Sequence, residues 1–443
     1  MSNSTRPARR SGVVRWLDNH RRGAAIGVAV AAVGLVGIAI LLAVQFAEQI
    51  PVTGGATMSP AATLSEATPS DEPTDSPTPI PTPTAEPTVS PTATPRTSPT
   101  AGPIASWELA ASFDVDPGTA YVTDVTAWNH GFVAIGSAWE GAHIAGSQLP
   151  RVWTSADGGT WEERTADLGI DDVSLVGIEA RGDGTLLLVG NAPGTGAQGG
   201  GEPPRPVAWI SEDAIGWEPH ELPATEDEIV YSLDRGARGY VLSAGTKIWF
   251  SSDGMEWSLA HDGGIRVVAG DEGFAAMNLT SAGSMSIIAS GDGRDWYTSE
   301  PFGPLLDVAP IGGAWVAVAS TEDRAGFLVL RSEDGLEWSE VLDVNDLTGP
   351  DGPKTGRGLE RDSISGASLA GSGGHVFLTL TGNHCCAQIG WNFGVWGSTD
   401  GVTWQPAIEG DAFVSAVASD GDTTVLGGHL RRGEDPAFWI GER

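Results

Sequence analysis

Val152-Trp153-Thr154-Ser155-Ala156-Asp157-Gly158-Gly159-Thr160-Trp161-Glu162 is a stretch this chain writes repeatedly. Its frame of Ser155, Asp157, Gly158 and Trp161 returns as Ser251, Asp253, Gly254 and Trp257, and again as Ser290, Asp292, Gly293 and Trp296. It returns once more as Ser332, Asp334, Gly335 and Trp338, and last as Ser398, Asp400, Gly401 and Trp404. A sixth copy, Ser211, Asp213 and Trp217, carries Ala214 where the others carry glycine. The spacing Ser-x-Asp-Gly-x-x-Trp never slips, and the copies stand about 40 to 66 residues apart, a period that signals a solenoid or a propeller.

Short β-prone runs precede each box, such as Val152-Trp153, Ile248-Trp249-Phe250 and Val395-Trp396. Asp-Gly between two strands predicts a hairpin with a tight turn of the primed type, because that turn needs positive φ at its centre. Ser and Asp side chains can also hold the turn by bonding its own amides. The Trp opens the outgoing strand and offers a large ring for burial between neighbouring units. Six copies cannot all be one active site, so the box reads as a fold device.

Upstream of each box lies a glycine followed by an apolar run, as in Gly131-Phe132-Val133-Ala134-Ile135 and Gly313-Ala314-Trp315-Val316. Ahead of that stands a further apolar strand, such as Val173 to Val176 or Ala412 to Val417. Each repeat therefore has four strands, A to D, with the box joining C to D, which is the blade of a β-propeller. After Trp404 the chain holds strands A, B and C of one more unit and ends at Arg443. A lone strand D, Ser106-Trp107-Glu108-Leu109-Ala110, sits ahead of the first blade and carries a seventh tryptophan, Trp107. Pairing the two closes the ring and leaves no edge bare. The expectation is an all-β, seven-bladed propeller over residues 105–443.

Those boxes resemble the Asp-box (BNR) repeat propellers, a group that includes sialidases, photosystem-assembly propellers and sortilin-type receptors. The resemblance covers Ala105 to Arg443 and implies the fold more than any activity, since one box serves many functions. The family pattern usually has one more residue before the tryptophan than this chain has. Membership of a sialidase-like branch would imply three substrate-facing arginines, a Tyr/Glu nucleophile pair and an acidic Asp. The chain has tyrosines only at 121, 231, 240 and 297, and its first-blade segment Trp107 to Ser112 has no arginine. The resemblance therefore implies a non-catalytic propeller.

The start of the chain has a different character. Residues 1–23 are basic, with Arg6, Arg9, Arg10, Arg15, Arg21 and Arg22, and residues 24–47 are an uncharged apolar run. About 20 such residues span a bilayer. Arginines before it and Glu48 after it predict a single-pass helix with a cytoplasmic N-terminus and an extracellular propeller. A cleaved signal peptide would have a shorter apolar core, and Val44-Gln45-Phe46-Ala47 is a poor cleavage site. Gly23, Gly27 and Ala31 make a small-xxx-small face of the kind that pairs helices into dimers. Residues 48–104, dominated by Pro, Thr, Ser and Ala, predict a disordered stalk that stands the propeller off the bilayer, at ~3 Å per residue when extended.

The formal charge is −33, and the arginines of the first 23 residues leave the propeller more acidic still. Such a surface repels nucleic acid, which excludes it as a partner. The eight histidines show no metal spacing, and neither His-Glu-x-x-His nor Cys-x-x-Cys occurs, so no metal or cofactor is expected. Gly194-Thr195-Gly196-Ala197-Gln198-Gly199 mimics a dinucleotide fingerprint, but Gly200-Gly201-Glu202-Pro203-Pro204 follows it instead of a helix. Cys385 and Cys386 are adjacent and are the chain's two cysteines. They read as a vicinal disulfide stiffening a loop tip, against free thiols or a link to a second chain.

Because the boxes and the A–B turns share one end of the ring, the B–C loops and D–A crossovers must share the other. The long ones are the B–C loops Ser137 to Pro150, Asn191 to Arg205, Thr381 to Asn392 and Gly428 to Pro436, and the crossover Asn345 to Asp362. They belong to blades 6, 7, 1 and 2, neighbours once the ring closes. They carry Trp139, His143, Arg205, His384, Trp391, Arg431 and Arg432, aromatic and cationic types that anchor interfaces. This face is the expected ligand site, for a glycan, peptide or partner protein. The alternative is a carbohydrate-active hydrolase, which would need two facing carboxylates.

Overall fold

The computed structural model describes residues 106–442 apart from 115–117, 141–147, 165–167, 170–171, 194–203, 224–227, 280–284, 322–325, 349–363, 384–390, 409 and 431–434. The expected tail 1–23, membrane helix 24–47 and stalk 48–104 lie outside the described residues. Among those described, no helix is long and apolar enough to cross a membrane.

Seven four-stranded antiparallel sheets form the domain, each with its strands in the order A-B-C-D. Blade 1 comprises Gly118–Trp128, Gly131–Glu140, Gln148–Ser155 and Trp161–Arg164. Blades 2 to 6 repeat the plan, with A strands Ser174–Ala180, Val230–Gly236, Arg266–Gly270, Leu305–Ile311 and Ile364–Ser372. Blade 7 takes Ala412–Ser419, Thr423–Leu430 and Asp435–Glu442 from the end of the chain and Trp107–Ser112 from its described start. Trp107 pairs with Gly441 and Ser112 with Ala437, so the ring is closed by its own ends as expected. The A strands touch one another in ring order and are therefore innermost.

Seven hydrophobic clusters hold the ring, and each straddles two adjacent blades. Trp161 lies with Ala416, Val425 and Phe438 of blade 7, and stacks on Phe438 with centroids 3.9 Å apart. Trp217 packs into blade 1 against Val133 and Ile135, and Trp404 into blade 5 against Val316 and Val329. Trp257, Trp296 and Trp338 pack in the same backward sense. Trp107 completes the set edge-on to Phe377 of blade 6, at 5.0 Å. The repeated tryptophan is thus the wedge of one blade into the blade before it, and the burial of these rings is what makes the blades adhere.

The box itself corrects one expectation. It is a five-residue connection between the serine and the tryptophan rather than a two-residue primed turn, and only its third position, glycine or Ala214, takes positive φ. The Ser155 hydroxyl accepts the Gly158 amide at 2.8 Å, and Asp157 Oδ1 accepts the Gly159 and Thr160 amides at 2.9 and 2.7 Å. The other five copies repeat this pattern. A carboxylate that satisfies two amides removes the need for a second residue at positive φ. The primed geometry occurs instead at the A–B turns of blades 1, 5 and 6, as at Asn129 and His130 with φ of 48° and 63°.

The B–C loops are shorter than composition suggests. Ser137 pairs with Pro150 and Trp139 with Gln148, Asn383 pairs with Trp391, and Leu430 pairs with Asp435. Gly, Ser and Pro in those stretches read as loop, but once the hairpin is started its backbone ladder continues through them.

Candidate functional site

Two regions of the ring carry polar chemistry. The first is the end opposite the boxes. That boxes and A–B turns share an end is seen directly, since Arg181 of the blade 2 A–B turn donates from Nε to the Asp253 carbonyl in the blade 3 box, at 3.0 Å. Trp139, Arg205 and Trp391 accordingly stand at the B–C ends of blades 1, 2 and 6, as strand residues and not loop residues. Arg205 pairs with Ala192 and is exposed. His143, His384, Cys385, Cys386, Arg431 and Arg432 lie outside the described residues. In blade 7, Phe413 stacks on His429 with ring centroids 4.8 Å apart. Burial pushes the His429 imidazole down to about 4, so it is neutral near pH 7 and acts as a packing group.

The second region is the inner wall. Asp124, Glu179 and Asp234 come from the A strands of blades 1, 2 and 3, and Arg266 and Asp307 from those of blades 4 and 5. Crowding by the adjacent blades removes water from these carboxyls although each stands on an innermost strand. Desolvation raises Asp124 to about 7 and Asp234 to about 6, and mutual repulsion adds to the rise in Asp124. Glu179 is raised by burial and then by repulsion from Asp234 and Asp124, and it shares a side-chain hydrogen bond with Asp234. Asp307 is raised by burial, opposed by an ion pair with Arg266 at 2.9 Å.

What these groups bind limits what they can do. Asp124 accepts the amides of Val125 and of Ile178 in blade 2. Asp234 accepts those of Arg235 and of Ala269 in blade 4, and Asp307 those of Val308 and of Leu369 in blade 6. Each aspartate therefore ties its own strand to the next blade. Glu179 differs, because its partners are the Thr126 hydroxyl and Asp234 rather than backbone. No group of three or more His, Cys, Asp or Glu among the described residues is arranged to hold a metal ion.

Reading the sequence missed this inner cluster. The available signal was a lone acid interrupting an apolar A strand, as in Ile178-Glu179-Ala180 or Leu306-Asp307-Val308. The tyrosines of a sialidase-like arrangement do not converge. Tyr240 is buried in strand B of blade 3 with its hydroxyl on the Ala180 carbonyl, while Tyr297 is exposed at the outer strand of blade 4.

No protein-family model and no curated protein matches this sequence. Solved propellers are similar in fold. The propeller domain of the Trilobed protease from Pyrococcus furiosus aligns at 11% identity over 70% of this chain and 92% of its own, with a TM-score of 0.43. YCF48 bound to a D1 peptide aligns at 14% over 76% and 96%, with a TM-score of 0.46. The Hadza microbial sialidase Hz136 aligns at 14% over 73% and 66%, with a TM-score of 0.38. The likeness speaks to fold alone.

Proposed function

We propose that this chain is a binding propeller, displayed outside the cell on a single-pass anchor and stalk, whose ligand lodges at the B–C end of blades 6, 7 and 1. The asymmetry of the rim carries the reading. Counted from the residue that pairs with the box serine, strand B of blade 1 runs Phe132 to Glu140, and that of blade 6 runs Val376 to Asn383. In blade 3 the same strand runs only Tyr240 to Ala244. Four further residues in blade 1 and three in blade 6, at ~3.3 Å each, raise one side of the rim by roughly 10 to 13 Å, a wall beside a low opening. A glycan, peptide or partner protein is the ligand class that such a wall, with Trp139 and Trp391 in its strands, would hold.

The test is a glycan and peptide array probed with the full-length protein, followed by Trp391→Ala combined with Arg431→Ala. Binding should be abolished with the melting temperature unchanged, while Glu256→Ala with Arg294→Ala, on the box face, should leave it intact. The reverse pattern would mean that the wrong face was chosen. A second reading, a carbohydrate-active hydrolase, draws on Glu179 and Asp234, whose carboxyls meet and are both raised. Against it stands the commitment of the aspartates to backbone amides. Glycoside hydrolysis that is present in the parent protein and lost in Glu179→Gln would displace the binding reading.

A further inference from the structure

The box face carries a series of inter-blade clefts, and the chain fills several of them with its own arginines. Between blades 2 and 3, Arg181 Nε reaches the Asp253 carbonyl. Between blades 5 and 6, Arg331 Nε reaches the Asp400 carbonyl at 2.8 Å. Both acceptors are the same atom of the repeat, the carbonyl of the box aspartate in the following blade. Between blades 3 and 4 the guanidinium of Arg294 lies over the Phe250 ring, 5.1 Å from its centroid. These clefts are therefore shaped for a flat cation.

Between blades 4 and 5 the same place is open. Arg331 immediately precedes box Ser332, and the residue in that position of blade 4 is Ala289, before Ser290. Arg181 stands three residues before the A–B glycine Gly184, and its counterpart before Gly273 is Gly270. The Arg294 position, just after the box glycine, is Leu336 in blade 5, so all three positions that supply a guanidinium elsewhere are held by residues without one. What remains is a cleft of roughly 230 Å³ lined by Glu272, Ala289, Tyr297, Trp315, Glu333 and Asp334 among others, with no arginine or lysine on its wall. Tyr297 is 62% exposed there, and Glu272 has no ion-pair partner among the described residues.

We propose that the cleft between blades 4 and 5 receives a guanidinium group from outside the chain, the arginine side chain of a peptide. The Asp334 carbonyl takes the N–H that Arg181 and Arg331 give to its counterparts. The Glu272 carboxylate supplies the opposite charge. Glu333 is already paired with Arg331, which leaves Glu272 as the charge that selects a cation. The exposed Tyr297 ring offers a flat surface against which a guanidinium stacks and a compact ammonium does not, with the edge of the buried Trp315 at the floor. The site lies on the opposite face from the raised rim and does not depend on what binds there.

Titration of the full-length protein with a Gly-Gly-Arg-Gly-Gly peptide, its lysine analogue and N-acetyl-arginine amide tests this. The arginine peptide should bind saturably and at least tenfold more tightly than the lysine analogue. Binding of the amide alone as tightly as the peptide would assign the site to free arginine derivatives and overturn the peptide reading. Ala289→Arg should plug the cleft from within, as Arg331 plugs its neighbour, and weaken binding at least tenfold. Glu272→Gln combined with Tyr297→Ala, both surface changes, should weaken it as much should Ala289→Arg fail to fold. No saturable binding at millimolar peptide, equal affinity for the two peptides, or undiminished binding by the variant that folds would overturn the proposal.

Discussion

Replacing Trp107 by alanine tests whether the seventh blade is held by the same device as the other six. The ring is half-buried and meets Phe377 of the preceding blade edge-on at 5.0 Å and 87°. Truncating a fully buried tryptophan costs about 3 to 5 kcal/mol, so a half-buried one loses roughly 2. The edge-to-face pair adds about 1 kcal/mol, for a total near 3. A domain larger than 200 residues loses about 2 °C per kcal/mol, which places the expected drop in melting temperature at roughly 6 °C. Leu109, two residues along the same strand and 51% exposed, supplies the control, and Leu109→Ala should melt within about 1 °C of the parent. Near-ultraviolet circular dichroism on heating reads both. A Trp107→Ala protein that melts like the parent, or a Leu109→Ala protein that loses as much, would refute the view that this ring wedges the closing blade.

Stability should fall as pH rises from 5 to 8. Asp124 and Asp234 are raised in the folded state, to about 7 and about 6, so the stability they contribute is present at low pH and is lost as pH climbs through those values. Asp124 alone accounts for about 2 to 3 kcal/mol between pH 5 and 7. Box aspartates such as Asp253 are lowered by the amides they accept, and their contribution is lost in the opposite direction, below about pH 4. Urea midpoints at high salt, which suppresses general surface repulsion, should therefore decline above pH 5, and a flat or rising series would contradict the inner-wall assignment. Gly293→Ala should cost at least about 2 kcal/mol, since φ is +77° and the new Cβ would clash with the Phe250 ring. Ala214→Gly, at the same box position with φ of 61°, should be near neutral because relief of strain offsets a buried methyl, and equal effects of the two changes on the urea midpoint would rule out this explanation.

The six boxes, the glycine-led apolar runs and the stray strand around Trp107 were enough to predict seven blades and a ring closed by its own ends, because each is a local rule repeated in register. Periodicity also placed boxes and A–B turns on one face, since strand direction alternates without exception in a meander. Where local composition and long-range pairing disagree, the ring itself decided. Ser137 and Pro150 read as loop, yet they pair, because a hairpin ladder extends through residues that would not start one. Asp124, Glu179 and Asp234 are far apart in the chain and unremarkable within it, and only closure brings the three A strands to one axis and strips their carboxyls of water. The cleft between blades 4 and 5 is of the same kind. Ala289 is an ordinary strand residue until the following blade is seen to hold Arg331 in its place, because a vacancy between two sheets is a property of their packing and of neither sequence alone.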